Sequence, residues 1–600
     1  MCMVKKIREK LSVFSNYLKL YKKSLRLVLD ASPVFSVMML ILVPMQAALP
    51  AATIYLANYL INEMSESGNV VNTVVIFWGI TFLLGNVISP FITFIQGKLT
   101  DDLTYHLNMS IMKKSESLQT IHFFENSEFL NNIELVSSEA SWRPVNLLVF
   151  GTSIIGSLIT FVSMIVLLAG LNMFIALILL VALLPQVILA YKIQQQAFET
   201  LVSNTEDSRK LNYYTKAVIE SKTIKEVWLF NLYQFFQEKY KQAFHRIKNS
   251  VDKNRNKQAI TSIVFLIFTS LASVWSFMYI VNDIQRGRLG VGSILVFSSS
   301  VIYILQSSTR FVEDSSLLYD TLLYMDKYFT FLSLADKSAD TKERDVSLTR
   351  EPSTGLTLQD VSFKYPNTDH LVLKNVSFSV AEGEKIAVVG ANGAGKSTLV
   401  KLLMRLYSYG EGTITFDGVD IETMDILAYR NKFSAVFQDY AKFNLSLREN
   451  VMISDLVNNH SDESVRMYLK QSGFDTKELN IGLDQQLGVK FSDGRELSGG
   501  QWQKVALARG MYADRSILIL DEPTASIDVQ TEYELFTRFI EMSKDKTVLF
   551  ITHRLSLVKQ ADKVLVLKDG EVVGFDHHDA LMDTNSYYRR MYEMQANPYK

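Results

Sequence analysis

A glycine-rich run, GANGAGKS, extends from Gly390 to Ser397 and contains the residues whose chemistry is clearest. The apolar stretch KIAVVG comes before it, and TLVKLLMRLY, which has the pattern of a helix, comes after it. In a strand–loop–helix unit of this kind, successive backbone N–H groups surround the phosphates of a nucleotide. We expect Lys396 to contact the β- and γ-phosphates and Ser397 to be a ligand of Mg²⁺. The other residues expected to contact the nucleotide here are Gly390, Asn392, Gly393, Gly395 and Thr398.

Two other apolar stretches end in polar side chains that suit phosphate chemistry. SILILDEP contains Asp521 and Glu522, and KTVLFITH ends at His553. Parallel strands present such side chains at one edge of a sheet, where ligands bind. We expect Asp521 to hold Mg²⁺ through water, Glu522 to act as the general base, and His553 to contact the γ-phosphate. The alternatives are a solvated turn for the two acids and a structural role for the histidine.

A second candidate phosphate site lies in DGRELSGGQWQKVALARG, from Asp493 to Gly510. Ser498, Gly499 and Gly500 stand where an amphipathic helix is predicted to begin. A helix start exposes free N–H groups and the positive end of the helix dipole, and glycine lets an anion approach that backbone closely. The chain therefore contains two predicted phosphate-binding sites.

The composition divides the chain into two unlike halves. At 600 residues it is too long for a single core. The mean hydropathy of +0.12 averages an apolar half, up to about residue 335, and a half typical of a soluble α/β protein, from about residue 356. A net charge of −1 gives no indication of a nucleic-acid partner. The single cysteine, Cys2, excludes an internal disulfide and a multi-cysteine metal site.

The apolar half contains segments that are long enough to cross a bilayer and lack Asp, Glu, Lys and Arg. Six such spans are predicted, at about 33–61, 71–97, 145–169, 173–191, 259–281 and 290–309. Buried helices of a soluble protein are a poor alternative, because soluble helices of this length show a polar face.

The distribution of Lys and Arg predicts the orientation of these spans. Residues 5–26 contain eight Lys and Arg side chains, whereas the first outer loop, from Asn62 to Val70, contains none. We therefore expect both termini in the cytoplasm. The two long loops, about 98–143 and 192–258, are lysine-rich and are also expected inside, extending the spans as helices that turn near 123–132 and 208–218.

The motifs agree in order and spacing with the ATP-binding cassette (ABC) family, and the resemblance covers the whole chain. It identifies LSGGQ, Leu497 to Gln501, as the signature motif, which serves the ATP held by the other subunit. It further implies that Tyr365 stacks on adenine and that Gln438 senses Mg²⁺ and the membrane half. A loop from Ser526 to Asp528 would cross the dimer. ATP and Mg²⁺ are thus the implied cofactors, and a second copy of the chain is the implied partner.

Six spans followed by a cassette on one chain resemble an ABC exporter half-transporter. The fold class expected is an α-helical polytopic membrane domain of six transmembrane helices with an α/β P-loop NTPase cassette domain. The domain boundaries expected are 1–335 for the membrane domain, 336–355 for a linker and 356–600 for the cassette. The chain is expected in a bacterial cytoplasmic membrane, in contact with lipid. No cassette motif is degenerate, so both ATP sites of a homodimer would hydrolyse ATP.

Finer features resemble the exporters of lantibiotics, which are modified peptides made on ribosomes. The stretches are LGVKFSDGRELSGGQWQK, TIKEVWLFNL and VFQDYAKFNLSLREN. The resemblance implies export of a precursor peptide with its leader attached, with peptide-modifying enzymes as possible further partners. Two alternatives stay open: a multidrug or lipid exporter (a flippase) on the same scaffold, and a non-transporting membrane ATPase or ATP-gated channel.

The polar residues of the spans do not distinguish these cargoes. Gln46, Gln96 and Gln306 suit a peptide about as well as an amphipathic drug, and such residues also pack between helices. Acids at the inner mouth, such as Asp102 and Asp314, would suit a cationic cargo, but solvated helix ends are the better explanation for them.

Overall fold

The structure is a computed structural model of the chain. It describes residues 2–66, 72–139, 143–203, 205–334, 355–366, 368–457, 461–522, 529–555 and 557–596. Contacts divide the chain into two compact units. The first comprises Met1–Ser115 with Glu128–Leu334, and the second comprises Glu116–Ser127 with Ala335–Lys600. The predicted linker lies outside the described residues apart from Gly355.

The first unit is helical, as expected for segments whose backbone polar groups must be satisfied internally in lipid. Its helices are α1 (Cys2–Ala31), α2 (Pro33–Glu66), α3 (Asn72–Ser117), α5 (Ser127–Glu139), α6 (Arg143–Leu171), α7 (Met173–Ser203), α8 (Thr205–Ala217), α9 (Ile224–Leu229), α10 (Tyr233–Gln285) and α11 (Ser293–Leu332). Between α3 and α5, the short helix α4 (His122–Glu125) belongs to the second unit.

Each predicted span falls on a long helix, namely α2, α3, α6, α7, α10 and α11. Within the described residues, the segments long and apolar enough to cross a membrane are Pro33–Ser65, Asn72–Ser117, Val145–Leu171 and Tyr233–Gln285. Met173–Leu189 in α7 is apolar but shorter. The chain is thus a helical multi-pass membrane protein, and the count of six spans stays a prediction.

The turn of the second long loop lies later in the chain than predicted. The stretch 208–218 lies almost entirely in helix α8, and the chain reverses later, around α9. The sequence NYYTKAV has no Gly or Pro, so it continues the helix, and α8 ends only at Ala217. Three apolar residues near this turn, Trp228, Leu229 and Phe230, are all exposed.

The second unit is built on two sheets. One is mixed, with strand order β10-β9-β3-β8-β7-β6, and the other is antiparallel, with order β2-β1-β4-β5. The strands are β1 (Leu356–Phe363), β2 (Leu373–Val380), β3 (Lys385–Gly390), β4 (Glu411–Phe416), β5 (Val419–Asp420), β6 (Phe433–Val436), β7 (Ile517–Asp521), β8 (Thr547–Ile551), β9 (Lys563–Lys568) and β10 (Glu571–Asp576).

Helices cover the larger sheet, so its central strands are apolar on both faces. In β3, Ile386 and Val388 enter one hydrophobic cluster, whereas Ala387 and Val389 enter the other. The helices of this unit are α12 (Lys396–Leu403), α13 (Ile426–Arg430), α14 (Leu447–Met452), α15 (Asp462–Gln471), α16 (Gly499–Tyr512), α17 (Val529–Met542), α18 (His578–Thr584) and α19 (Ser586–Ala596). This arrangement exposes the carboxyl ends of β3, β7 and β8 at one sheet edge.

Candidate functional site

Strands β3, β8 and β7 are parallel neighbours, so their carboxyl ends lie side by side. Gly390 ends β3 and begins the glycine-rich loop, and Asp521 ends β7. His553 follows β8 by two residues. The sheet therefore brings together three stretches that are far apart in sequence.

The glycine-rich loop leads from β3 into α12 and requires glycine at two positions. Gly393 and Gly395 have φ values of +82° and +98°, which side-chain-bearing residues rarely adopt. A Cβ at Gly395 would also lie 2.6 Å from Leu373 Cδ2. The loop can therefore keep its backbone close to a bound phosphate because it carries no side chains there.

Lys396, the first residue of α12, lies inside this loop. Its Nζ donates to the carbonyl oxygens of Gly390 (2.9 Å) and Ala391 (3.0 Å), and the residue is only 6% exposed. Burial lowers the pKa of its ammonium group, while the carboxylates of Glu522 and Asp521 oppose that shift. A bound phosphate would supply the anion that this buried cation lacks.

Ser397 and Asp521, the two residues expected to hold Mg²⁺, are neighbours in the structure. Ser397 Oγ donates to Asp521 Oδ1 over 3.4 Å. Asp521 is buried, and burial raises the pKa of its carboxyl group. Among the described residues, no group of three or more His, Cys, Asp and Glu side chains could hold a metal ion. A hydroxyl and a carboxylate nevertheless fit Mg²⁺, which takes oxygen ligands and is usually held by one or two side chains together with phosphates.

Both carboxylate oxygens of Glu522 contact another side chain. Gln438 Nε2 donates to one oxygen over 3.1 Å, and His553 Nε2 lies 2.5 Å from the other. The backbone of Glu522 has a φ of +47°, and its N–H donates to the Ile551 carbonyl over 3.2 Å. Such left-handed backbone in a residue with a side chain is costly and clusters at functional sites. Gln438 and His553 therefore both contact Glu522, the predicted general base.

Tyr365 lies beside the glycine-rich loop. Its hydroxyl forms a 2.9 Å hydrogen bond with Thr398 Oγ1, and its ring meets those of Phe363 and Tyr407 edge to face. A cavity of about 470 Å³ opens next to this ring, lined in part by Thr120 and His122. This places Tyr365 at a cavity that can receive a ring, as expected for an adenine-binding residue.

Ser498 and the glycines after it form the start of α16. Ser498 Oγ accepts from the Gln501 backbone N–H, and the Gln501 side chain accepts from the Ser498 N–H, which together make a capping box. Gly499 has nothing within 4 Å of its Cβ direction, and Ser498 is exposed. Within the described residues, no hydrogen bond or ion pair joins this motif to Lys396 or Ser397.

Residues 119–125 also contact other residues of the second unit. Aromatic side chains at a turn near 123–132 favour such a contact, because they are costly to leave exposed, but the sequence did not identify these particular partners. Ile121 N–H donates to the Leu406 carbonyl over 3.0 Å, and Arg430 Nη2 donates to the Gln119 carbonyl over 2.6 Å. Glu125 accepts from Lys401 Nζ (3.0 Å) and from the Tyr407 hydroxyl. The only signal in the sequence was the cluster of aromatic residues around Glu125.

The predicted dimer-crossing loop cannot be placed. Ser526 and Asp528 lie in residues 523–528, outside the described part of the chain.

The chain is similar to known transport proteins over nearly its whole length. Residues 373–525 match the family model described as "ABC transporter". A subtilin transport ATP-binding protein of Bacillus subtilis is 32% identical over 91% of this chain and 89% of its own. A nisin transport ATP-binding protein of Lactococcus lactis subsp. lactis is 29% identical over 95% of both chains.

The chain is also similar to a protein named for lipid transport and to a protein of known structure. An ATP-dependent lipid A-core flippase of Pectobacterium atrosepticum is 28% identical over 70% of this chain and 71% of its own. The structure of a bacterial Atm1-family ABC exporter with ATP bound matches with a TM-score of 0.76 and 23% identity, covering 94% of this chain and 98% of that one. At that identity the match shows a shared fold.

Proposed function

Because the chain belongs to the ABC transporter family and is an ATP-driven exporter, we propose that its cargo is a lantibiotic-type precursor peptide with its leader attached. The observation behind this choice is the similarity to proteins named for subtilin and nisin transport, which spans more than nine tenths of the chain. Peptide-modifying enzymes would meet the transporter on the side where the leader is presented.

The positions of these side chains at the sheet edge support a specific role for each of them in ATP hydrolysis. Lys396 would bind the β- and γ-phosphate oxygens, because it is a buried cation held next to the phosphate-binding loop. Ser397 and Asp521 would hold Mg²⁺, which when bound offsets the negative charge of the phosphates. Thr398 and the loop residues Gly390, Asn392, Gly393 and Gly395 would surround the phosphates, with Tyr365 against the adenine.

Glu522 would take the proton of the attacking water. Its carboxylate is oriented by Gln438 on one oxygen and by His553 on the other. His553 also stands at the sheet edge where the γ-phosphate would lie. Because Gln438 contacts this base, a movement of the Gln438 loop would change the position of Glu522.

A second copy of the chain would complete each ATP site. Ser498, Gly499, Gly500 and Gln501 form an exposed helix start with free space in front of it, which is a ready anion-binding surface. Within the described residues of one chain, no hydrogen bond or ion pair joins this surface to Lys396 or Ser397. We place it, together with Asp528, against the nucleotide of the partner in a homodimer with two hydrolytic sites.

The orientation and domain boundaries complete the proposal. Both termini and the cassette would lie in the cytoplasm of a bacterial cell, as the eight Lys and Arg side chains of residues 5–26 indicate. The membrane domain would be 1–335, the linker 336–355 and the cassette 356–600, with 119–125 reaching from the membrane domain to the cassette.

The test is the ATPase activity of the purified protein in lipid nanodiscs. We expect a leader-bearing precursor peptide to stimulate the activity saturably, and the Glu522→Gln protein to serve as the inactive blank. Stimulation by lipophilic drugs or by lipid A-type lipids alone would refute the peptide assignment. The similarity to the lipid A-core flippase makes lipid the second candidate cargo.

A further inference from the structure

A polar cavity of about 350 Å³ lies in the first unit, among helices α2, α3, α6 and α11. The side chains that matter most for its chemistry are Gln46, Gln96, Thr160, Tyr303, Gln306 and Arg310. Ligand cavities in proteins span roughly 300–1,000 Å³. This one is therefore large enough for a short segment of a peptide but too small for a whole precursor.

Arg310 is the charged member of the described cavity lining. Within the described residues, no carboxylate lies within ion-pair distance of its guanidinium group. Asp314, four residues further along α11, accepts a hydrogen bond from Ser153. Asp102, another acid of the inner mouth, accepts from Ser32 over 2.7 Å. These acids are therefore engaged within the helix bundle, while the cation faces the cavity.

The side chains that line this cavity suit a ligand that carries a carboxylate next to peptide groups. Arg310 directly follows the predicted span 290–309 and is exposed, so its charge is open to the cavity that it lines. The planar guanidinium group binds a carboxylate through two parallel hydrogen bonds. The primary amides of Gln46, Gln96 and Gln306 each offer both donors and an acceptor, which match the C=O and N–H groups of an extended peptide backbone.

We propose that Arg310 binds a carboxylate of the cargo peptide while the three glutamines bind the neighbouring backbone. The carboxylate is either the C-terminus of the peptide or an acidic side chain. This inference rests on the proposed peptide cargo and specifies how that cargo is recognised. It argues against the alternative that acids at the inner mouth suit a cationic cargo, because the charge that lines the cavity is positive.

The first experiment changes the peptide and leaves the protein intact. ATPase stimulation of the wild-type protein is measured in neutral phosphatidylcholine nanodiscs with three forms of the precursor. These are the native peptide, its C-terminal amide, and a form whose Asp and Glu residues are replaced by Asn and Gln. One modified form should raise the half-stimulating concentration about tenfold or more, as expected for losing a charge-assisted hydrogen bond. That form identifies the source of the carboxylate, and equal curves for all three peptides would overturn the proposal.

The second experiment pairs those peptides with protein variants. Arg310→Gln should raise the half-stimulating concentration of the native peptide by a similar factor and abolish the difference between the native and the modified form. Arg310→Lys should restore part of that difference, because lysine keeps the positive charge but cannot form the two parallel hydrogen bonds of a guanidinium group. Arg255→Gln is the matched control, since Arg255 is 73% exposed on α10 and does not line the cavity. An unchanged peptide difference in Arg310→Gln would refute the carboxylate contact.

Two further outcomes distinguish a failure of the proposed carboxylate contact from a failure of the proposed peptide cargo. If no peptide stimulates the wild-type protein, the proposed cargo is wrong and the inference falls with it. If the peptide stimulates in neutral nanodiscs but Arg310→Gln changes only the response to added phosphatidylglycerol, Arg310 binds a lipid phosphate and the cargo assignment stands without it.

Discussion

At the residue scale, Glu522 is the side chain on which the proposed hydrolysis depends. Its two oxygens contact Gln438 and His553. Glu522→Gln keeps the size of the side chain but removes the carboxylate that would accept the proton. We expect this variant to bind ATP with near wild-type affinity and to hydrolyse it about 10²–10⁴-fold more slowly, the usual contribution of a general base. Nucleotide affinity and steady-state ATPase rates measure the two effects separately.

His553 acts in part through Glu522, and a double-mutant cycle tests this. His553→Ala alone should slow hydrolysis by releasing one oxygen of the base. Combined with Glu522→Gln, it should add little, because residues that act as a unit are not additive. Fully multiplicative losses would show that His553 acts on the nucleotide independently of the base.

The buried ammonium of Lys396 predicts a pH dependence of nucleotide binding. Burial lowers its pKa, so the charge is fully present below the lowered pKa and is lost as the pH rises through it. Nucleotide affinity without Mg²⁺ should therefore begin to fall at a pH below about 10.4, the ordinary value for lysine. Calorimetry should show this fall in the wild type and not in Lys396→Arg, whose guanidinium stays charged. A parallel fall in both proteins would assign the effect to another group.

At the scale of elements, the sequence was sufficient to predict the strands that end at the site. The apolar runs of β3, β7 and β8 are buried on both faces, so each is a continuous hydrophobic stretch followed at once by polar residues. The sequence could not show that Glu522 adopts a positive φ or that Gln438, 84 residues away, contacts it. Both depend on the register of neighbouring strands, which local patterns do not determine.

Helix boundaries outside the membrane were harder to predict than the spans. The bilayer fixes the length of an apolar segment, whereas α10 continues for 53 residues through a polar stretch in which only helix propensity is informative. The contacts of residues 119–125 were also beyond reach, since the Glu125–Lys401 pair joins positions 276 residues apart. Such contacts follow from how the whole unit packs.

The start of α16 has a structural role and a proposed binding role, which one pair of variants can separate. Ser498 caps its own helix, so Ser498→Ala should cost the cassette about 1 kcal/mol of stability. Ser498→Asp keeps a good cap at this position but places a negative charge where the partner's phosphate would lie. We expect the Asp variant to unfold near the wild-type temperature and yet lose ATPase activity. Normal activity in Ser498→Asp would remove this motif from the ATP site.

At the scale of the whole molecule, one chain contains both of the motifs that we propose form an ATP site. The glycine-rich loop holds Lys396, and the exposed helix start holds Ser498, with no hydrogen bond or ion pair between them in the described residues. A head-to-tail dimer would place each helix start against the other chain's loop. The number of complete sites would then depend on pairing between chains.

Mixed dimers of two inactive chains distinguish this arrangement from sites within one chain. In a dimer of Lys396→Ala with Ser498→Asp, a shared-site arrangement puts both defects in one site and leaves the other site with a normal lysine and a normal signature serine. Dimers isolated with two affinity tags should then trap one nucleotide with vanadate, whereas either homodimer should trap almost none. If each site belonged to a single chain, every site in the mixed dimer would still carry a defect, and none would trap nucleotide. Recovery in the mixed dimer therefore requires that the glycine-rich loop of one chain works with Ser498 of the other.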